Sequence, residues 1–140
     1  MVKVGWFSRH PFIPAQLDEL KRLFGDDVQV RRYKGSLRIG YKDADEIINI
    51  CLREGIRYAV VVLPLAMIDQ LLQRIKARKL DIMLIRAEMR DLREDEEFDP
   101  YDCVVVDNRG RLMKFVEFRE IIEIKVVTRP LEVALKEKRI

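Results

Sequence analysis

The chain has few of the residues that most often carry covalent chemistry. Its 140 residues include two cysteines and a single histidine, and its only aliphatic hydroxyl side chains are those of two serines and one threonine. Cys51 and Cys103 stand far apart, so their spacing predicts neither a zinc site nor a disulfide framework, and we expect both to be buried. His10 is therefore the one imidazole available for acid–base catalysis near neutral pH.

Long apolar runs are also absent. No apolar stretch reaches the roughly 18 residues that a membrane-spanning helix needs. The first residues enter a strand-like pattern without the charged region, apolar core and cleavage site of a secretory signal, so we expect a cytoplasmic protein that does not enter a membrane. Asparagine occurs twice against 27 lysines and arginines, a bias similar to that of thermophile proteins.

The charges of the chain nearly balance. Lysine and arginine number 27 against 24 aspartates and glutamates, which gives a net charge of +3. This balance does not demand a polyanionic partner, although it leaves nucleic-acid binding open. No repeat, low-complexity segment or linker interrupts the sequence, and its length predicts one domain over residues 1–140.

Residues 1–86 show alternating strand and helix patterns. Short apolar runs predict strands at 2–8, 28–33, 58–64 and 81–85. Apolar residues at helical spacing predict three helices: the first begins at Pro14, the second at a capping-box pattern opened by Asp43, and the third at Leu65.

The remainder of the chain differs in character. Residues 87–100 are dense in charge and predict a solvated acidic loop, with a short helix as the alternative. The run 94–99 lacks a histidine and the interleaved order of a metal site, so we expect no metal and no other cofactor. Residues 101–130 predict an antiparallel hairpin with an Asn/Gly turn. This hairpin must bend or split, because one strand over 112–128 would run for about 55 Å. We expect the basic tail 131–140 to form a short helix.

This order of elements predicts an α/β fold. We expect a small three-layer Rossmann-like domain, with a mostly parallel sheet, right-handed crossovers and a C-terminal antiparallel hairpin. In such sheets ligands bind beyond the carboxyl ends of the strands, at the point where the strand order reverses. The predicted site therefore lies where the first four strands end.

Several polar residues stand at these strand ends. The ligand-binding candidates are Arg9, Tyr33, Lys34, Pro64 and Arg86. The catalytic candidates are Ser8 and His10. An arginine can hold a phosphate through two hydrogen bonds, a serine hydroxyl can donate one, and a histidine can act as general acid or base. The strand ends therefore predict an anion-binding site.

Each candidate also has a structural interpretation. Ser8 can satisfy backbone groups, Arg9 can be a solvated cation, and Tyr33 can be a half-buried strand residue. Arg86 can pair with Glu88 or with the acidic loop. The fingerprints of dinucleotide-binding and P-loop proteins, G-x-G-x-x-G and G-x-x-x-x-G-K-[ST], do not occur in the sequence, which disfavours both classes.

The opening of the chain carries a resemblance. Residues 6–11, WFSRHP, and residues 13–17, IPAQL, resemble the start of small CRISPR-associated Rossmann-like proteins. That group is related to CARF domains, and some members bind cyclic oligoadenylates or cleave them as metal-independent ring nucleases, usually as homodimers. The resemblance implies a nucleotide or cyclic oligonucleotide ligand, a homodimer, and contacts from Ser8, Arg9 and His10 to the phosphates of the ligand.

Three classes of function remain open on the sequence. The first is an enzyme of the ring-nuclease kind, the second is a sensor that binds the same ligand without cleaving it, and the third is an adaptor for nucleic acid or protein. The adaptor would use the basic positions Arg31, Arg32, Lys34, Arg38, Lys136, Lys138 and Arg139. Its signature would be an affinity that falls steeply with salt concentration.

Overall fold

The computed structural model describes residues 1–33 and 41–138, with side chains described from residue 44 onward in the second range. Its helices are α1 (Pro14–Phe24), α2 (Tyr41–Glu54), α3 (Leu65–Arg78) and α4 (Leu131–Lys138). Its strands are β1 (Lys3–Phe7), β2 (Gln29–Tyr33), β3 (Tyr58–Val61), β4 (Met83–Asp91), β5 (Cys103–Val105) and β6 (Leu112–Glu120).

The six strands form one mixed sheet in the order β2-β1-β3-β4-β6-β5. Strand β1 pairs in parallel with β2 and β3, and β3 pairs in parallel with β4. Strand β6 pairs antiparallel with both β4 and β5. The predicted α/β class, the mostly parallel sheet and its antiparallel C-terminal addition are confirmed. The order reverses between β1 and β3, since β2 lies on one side of β1 and every later strand lies on the other.

Buried side chains form two clusters that the strands separate. Val4 and Trp6 of β1 belong to one cluster together with Leu20 of α1. Phe7, the residue after Trp6, belongs to the other cluster, which side chains of α2 and α3 complete. Because successive residues of a strand face opposite sides of its sheet, the two clusters lie on opposite faces. Ala59 of β3 extends the second cluster beneath α2 and α3.

Helix α1 begins and ends where its proline and glycine predict. Pro14 occupies the first helical turn, where its missing N–H has no partner to lose. Gly25 ends the helix at a φ of 101° and donates its N–H to the Lys21 carbonyl oxygen at 2.8 Å. This positive φ is one that glycine adopts without steric cost.

Two other boundaries differ by a few residues from the prediction. Helix α2 begins at Tyr41, so Asp43 lies within its first turn instead of preceding the helix. Strand β3 ends at Val61, because Pro64 is already the N-cap of α3. The predicted loop over 35–40 lies outside the described residues.

The largest difference concerns β4. The sequence predicts a strand over 81–85, but β4 continues as far as Asp91. It pairs with β6 from Ile85 to Asp91, where Asp91 lies opposite Met113, and a bulge shifts the register between Glu88 and Met89. The predicted acidic loop over 87–100 is therefore wrong for residues 87–91, which belong to the sheet. They form a strand because β6 supplies antiparallel hydrogen-bond partners, and the charged sequence of 87–91 does not indicate this pairing.

The C-terminal part follows the predicted bend. Strand β6 ends at Glu120, although the apolar alternation continues to Val126. Residues 121–130 have no regular secondary structure, and α4 follows Pro130. The predicted break in the second half of the hairpin and the helical tail are confirmed.

Candidate functional site

A cleft of about 800 Å³ opens at the carboxyl end of β3 and beside the middle of β4, where the pairing of β4 with β3 ends. We call it the β3–β4 cleft, and its lining comes from the end of β3, the first turns of α3, the middle of β4 and residues 119–125. The lining residues are Val61, Val62, Leu63, Leu65, Ile68, Arg86, Ala87, Arg119, Glu120, Ile121, Ile122, Glu123, Ile124 and Lys125. The volume falls within the roughly 300–1,000 Å³ of ligand pockets.

Packing of the chain after β6 builds the far wall of this cleft. The N–H of Ile121 donates to the Leu84 carbonyl oxygen of β4 at 2.8 Å. Ile121 and Ile124 then pack against the cluster that contains Ile68 of α3. The segment after Glu120 therefore turns over the α3 side of the sheet and forms one wall of the cleft.

Charged groups stand around the apolar surfaces of the cleft. Arg119 pairs with Glu117 at 2.9 Å and with Glu88 at 3.6 Å. Lys125 pairs with its neighbour Glu123 at 3.6 Å. Arg86 is exposed, and its side chain has no carboxylate partner among residues 1–33 and 44–138. Within the described chain Arg86 is thus a cleft cation without a carboxylate partner. Glu88, one of the two alternative partners that the sequence offered, pairs with Arg119 instead.

The amino end of α3 adds a second source of positive potential. Leu65 is the first residue of this helix and lines the cleft. Pro64 precedes it as the N-cap, and the Pro64 carbonyl oxygen accepts hydrogen bonds from the N–H groups of Met67 at 3.0 Å and Ile68 at 3.1 Å. The aligned peptide dipoles of a helix leave a partial positive charge at this end, which favours anions.

The end of β1 forms a compact turn beside the sheet. Ser8 is only 2% exposed, and its Oγ accepts a hydrogen bond from the His10 N–H at 3.1 Å. The Trp6 indole Nε1 donates to the His10 carbonyl oxygen at 2.8 Å. The side chains of Arg9 and His10 are exposed. None of Ser8, Arg9 and His10 lines the β3–β4 cleft.

Tyr33 is held by structural contacts. Its ring stacks on Phe7 with centroids 4.8 Å apart and planes 11° from parallel. Its hydroxyl donates a hydrogen bond to the Glu54 carboxylate. Burial and this carboxylate together raise the pKa of Tyr33 to about 12, so the hydroxyl remains protonated. Tyr33 does not line the cleft, and Lys34 lies outside the described residues.

The structure thus brings two of the sequence-predicted positions to one place. Arg86 lines the cleft, and Pro64 lies between the lining residues Leu63 and Leu65. Sequence reasoning missed Glu123 and Lys125. The available signal was the apolar alternation that continues past β6, but it indicates a strand and does not reveal that the chain turns over α3.

The lining side chains define what the cleft can do chemically. They provide guanidinium, ammonium, carboxylate and aliphatic groups, and among the described residues that line the cleft none carries an imidazole, thiol or hydroxyl. Within the residues that the structure describes, no three histidine, cysteine, aspartate or glutamate side chains are grouped to hold a metal ion. The cleft therefore suits an anion joined to an apolar body, and its groups favour binding over nucleophilic attack.

The cysteines lie elsewhere, in the core. Cys51 and Cys103 are both free and buried, as predicted. Burial raises the pKa of the Cys51 thiol to about 12 and also raises that of Cys103. Thiols act as nucleophiles in the ionised form, so neither side chain is suited to catalysis at neutral pH.

Part of the basic surface proposed for an adaptor is already neutralised. Arg31 pairs with Glu54 at 3.3 Å, and Lys136 pairs with Glu132 at 3.4 Å. Arg38 and Arg139 lie outside the described residues. Over residues 1–33 and 41–138, no helix is long and apolar enough to cross a bilayer.

Comparison of the chain with protein-family models, with curated proteins and with solved structures finds no match.

Proposed function

We propose that this chain is a nucleotide- or phosphate-binding protein with a three-layer Rossmann-like architecture, and that its ligand binds in the β3–β4 cleft. The observation that carries the proposal is the position of Arg86. This guanidinium has no carboxylate partner in the described chain, and it lies in the same cleft as the amino end of α3. Two independent sources of positive potential therefore line one cleft at the carboxyl end of β3, the strand that borders the reversal of strand order.

The rest of the cleft matches the remaining parts of a nucleotide. The side chains of Val62, Leu65 and Ile122 are all more than half exposed and give apolar surface against which a base can lie. The carboxylates of Glu120 and Glu123 can accept hydrogen bonds from ribose hydroxyls or from an exocyclic amine. The cleft therefore offers cations for a phosphate and carboxylate acceptors for the hydroxyls or the amine of one ligand.

We favour a sensor that binds its ligand without cleaving it. The lining side chains include no group that ordinarily serves as nucleophile or as acid–base catalyst near neutral pH, apart from carboxylates. The resemblance of residues 6–17 to CRISPR-associated proteins makes a cyclic oligoadenylate the ligand to test first. A cytoplasmic location and a homodimer stay predictions of the sequence.

A metal-independent ring nuclease is the second candidate function. The N–H of Val62, a cleft residue, donates to the Phe7 carbonyl oxygen at 3.1 Å, so the ends of β1 and β3 are direct neighbours. A large ring bound in the cleft can extend along this edge toward the exposed Arg9 and His10. There the ribose 2′-hydroxyl would attack its adjacent phosphate and displace the 5′-oxygen, which opens the ring and leaves a 2′,3′-cyclic phosphate. Arg9 would stabilise the charge on the phosphate, and His10 would transfer the proton of the 2′-hydroxyl to the departing 5′-oxygen.

Ligand-induced thermal stabilisation tests the proposed site. A ligand that binds only the folded state raises the melting temperature. The wild type, Arg86→Ala and Arg9→Ala would be compared against AMP, ATP and cyclic oligoadenylates. We expect a shift in the wild type that is lost in Arg86→Ala and kept in Arg9→Ala. Loss in Arg9→Ala alone would place the ligand at the end of β1 instead.

A wild type that responds to none of these nucleotides, by thermal shift or by calorimetric titration, would overturn the proposal. Binding to an unrelated oligonucleotide, with an affinity that falls steeply with salt, would instead favour the adaptor. For any ligand that binds, chromatography after incubation without metal separates the two candidates: an intact ring indicates a sensor, and a linear product that disappears in His10→Ala indicates a nuclease.

A further inference from the structure

The last part of the described chain exposes an unusual amount of apolar surface. We call residues 121–138 the C-terminal segment. Val126 is 87% exposed, Val127 is 90% exposed and Leu131 is 71% exposed, and none of the eight residues of α4 is buried. Ile122, Val133 and Leu135 add further exposed aliphatic side chains. An apolar concentration of this kind on a folded chain marks an interaction surface.

The sequence of this segment favours strand pairing and helix packing that the single chain does not provide. Its first part continues the alternating β-branched pattern of β6, yet after the bond from the Ile121 N–H to Leu84 the chain forms no further strand pairing over residues 122–130 in the described structure. Its second part is a helix that buries no side chain. An isolated helix of eight residues is marginal in water, because most helical stability in proteins comes from packing of an apolar face. Residues 126–138 therefore lack a packing partner within the described chain, and another molecule can supply one.

The charges of the C-terminal segment indicate which kind of partner it binds. Residues 121–138 carry four cations and three acids, and the two signs are interspersed along the chain. All three acids pair with cations of the same segment, as Glu132 does with Lys136 and Glu137 with Arg129. A surface that binds anionic lipid or nucleic acid is enriched in one sign of charge. Mixed charges instead allow a segment to lie against its own copy without net repulsion, as a two-fold interface requires.

The apolar area is also of the size that a dimer needs. A fully buried aliphatic side chain contributes roughly 60–120 Å² of apolar surface at about 25 cal/mol per Å². The six exposed aliphatic side chains named above then offer on the order of 250–500 Å². Because about 60% of an interface is apolar, this corresponds to roughly 400–800 Å² per copy. Specific dimers bury about 600–1,000 Å² per copy, so the upper part of the range is sufficient.

We infer that two copies of this chain associate through their C-terminal segments, with the exposed aliphatic side chains of Val126, Val127 and Leu131 at the centre of the interface. This inference stands independently of the proposed ligand. It has a consequence for the β3–β4 cleft, because Ile122 and Lys125 belong both to the segment and to the cleft wall. A second copy would therefore border each cleft and restrict its opening.

Sedimentation equilibrium of the full chain tests the inference directly. We expect the wild type at micromolar concentration to show twice the 16.6 kDa mass of one chain. Leu131→Glu and Val127→Glu should each show the mass of a single chain, because two buried carboxylates would face one another across the two-fold axis. Leu52→Glu, at an exposed leucine of α2, is the matched control and should remain a dimer.

The measured masses distinguish this interface from a folding defect and from lipid binding. Both test positions are exposed in the single chain, so circular dichroism should show unchanged helix content in the variants. If one of them unfolds, the other still decides the question. A wild type with the mass of one chain, or of more than two, would overturn the inference. So would a dimer that persists in both variants, or a monomer that co-sediments with phosphatidylglycerol vesicles, which would point to a lipid surface.

Discussion

The indole Nε1 of Trp6 donates a hydrogen bond to the carbonyl oxygen of His10, at 2.8 Å. Together with the 3.1 Å bond from the His10 N–H to the Ser8 Oγ, it ties both backbone polar groups of His10 to side chains. The turn after β1 is thus held through the backbone of His10, while its imidazole remains exposed. The backbone N–H and carbonyl of His10 therefore stabilise the turn, whereas its imidazole is free to contact other molecules.

This arrangement predicts unequal effects of substitutions in the turn. Ser8→Ala leaves the His10 N–H without its acceptor and should lower the free energy of unfolding by about 1 kcal/mol. His10→Ala keeps both backbone hydrogen bonds and should change it by less than about 0.5 kcal/mol. Urea unfolding monitored by tryptophan fluorescence measures both. An equal loss in the two variants would show that the imidazole itself stabilises the turn.

Filling the β3–β4 cleft should block ligand binding without harming the fold. Leu65 lines the cleft and is 66% exposed, so Leu65→Trp adds bulk into open space and should change the free energy of unfolding by less than about 0.5 kcal/mol. We expect the nucleotide-induced rise in melting temperature to be lost. Leu52→Trp, on the exposed face of α2, is the control and should retain it. Retention in Leu65→Trp would argue that the ligand lies elsewhere.

The two faces of α2 should respond differently to truncation. Ile47 is 1% exposed and packs in the cluster beneath α2 and α3. Ile47→Ala should lower the free energy of unfolding by about 2–5 kcal/mol, because it loses buried apolar area and leaves a cavity. Leu52→Ala, on the solvent side of the same helix, should cost less than about 0.5 kcal/mol. Chemical denaturation of both variants provides the comparison, and similar losses would contradict the assigned packing.

Glu96 should make the stability of the chain depend on acidity. Arg90 donates two hydrogen bonds to this carboxylate at 2.6 and 2.7 Å, and the Arg93 N–H donates a third at 3.1 Å. These contacts lower the pKa of Glu96 from 4.5 to about 2, with Arg90 as the main cause. A lowered folded-state pKa stabilises the fold above the unfolded value, so this stabilisation is complete above about pH 4.5 and is lost as the pH falls toward 2.

Glu96→Gln therefore should destabilise the chain at pH 7, and its difference from the wild type should shrink steadily below about pH 4.5. Urea unfolding at a series of pH values measures this difference. Glu97→Gln removes one negative charge from the same loop at an exposed residue and serves as the control. The same pH-dependent narrowing in both variants would show that net charge, and not the contacts of Glu96, causes the effect.

Local sequence signals predicted most of the first half of the fold because each operates over a few residues. Pro14 starts α1 through its fixed φ, and Gly25 ends the helix through a positive φ. The apolar run of β3 reflects burial on both faces of the sheet. The second half of β4 gave no such signal. Its charged residues become a strand only because β6, more than twenty residues later, pairs with them.

The candidate site shows the same division. Arg86 could be predicted, since it follows the part of β4 that pairs in parallel with β3, and sheet topology favours ligands at the end of such pairing. Lys125 could not, because its place in the cleft depends on Ile121 and Ile124 packing over α3. Ser8 had the right residue type and the right position at a strand end. Its hydroxyl nevertheless accepts a backbone hydrogen bond within its own turn, which residue type alone does not reveal.

The sequence by itself determined the α/β class, the order along the chain of the first four strands and their helices, and the buried state of Cys51 and Cys103. These features follow from the periodicity and the apolar content of short segments, which can be evaluated without knowing the tertiary contacts. Tertiary structure alone decided the length of β4, the turn of the chain after Glu120 and the cleft that this turn closes. These features depend on pairing and packing between residues distant in sequence, and such contacts leave no pattern within any one segment.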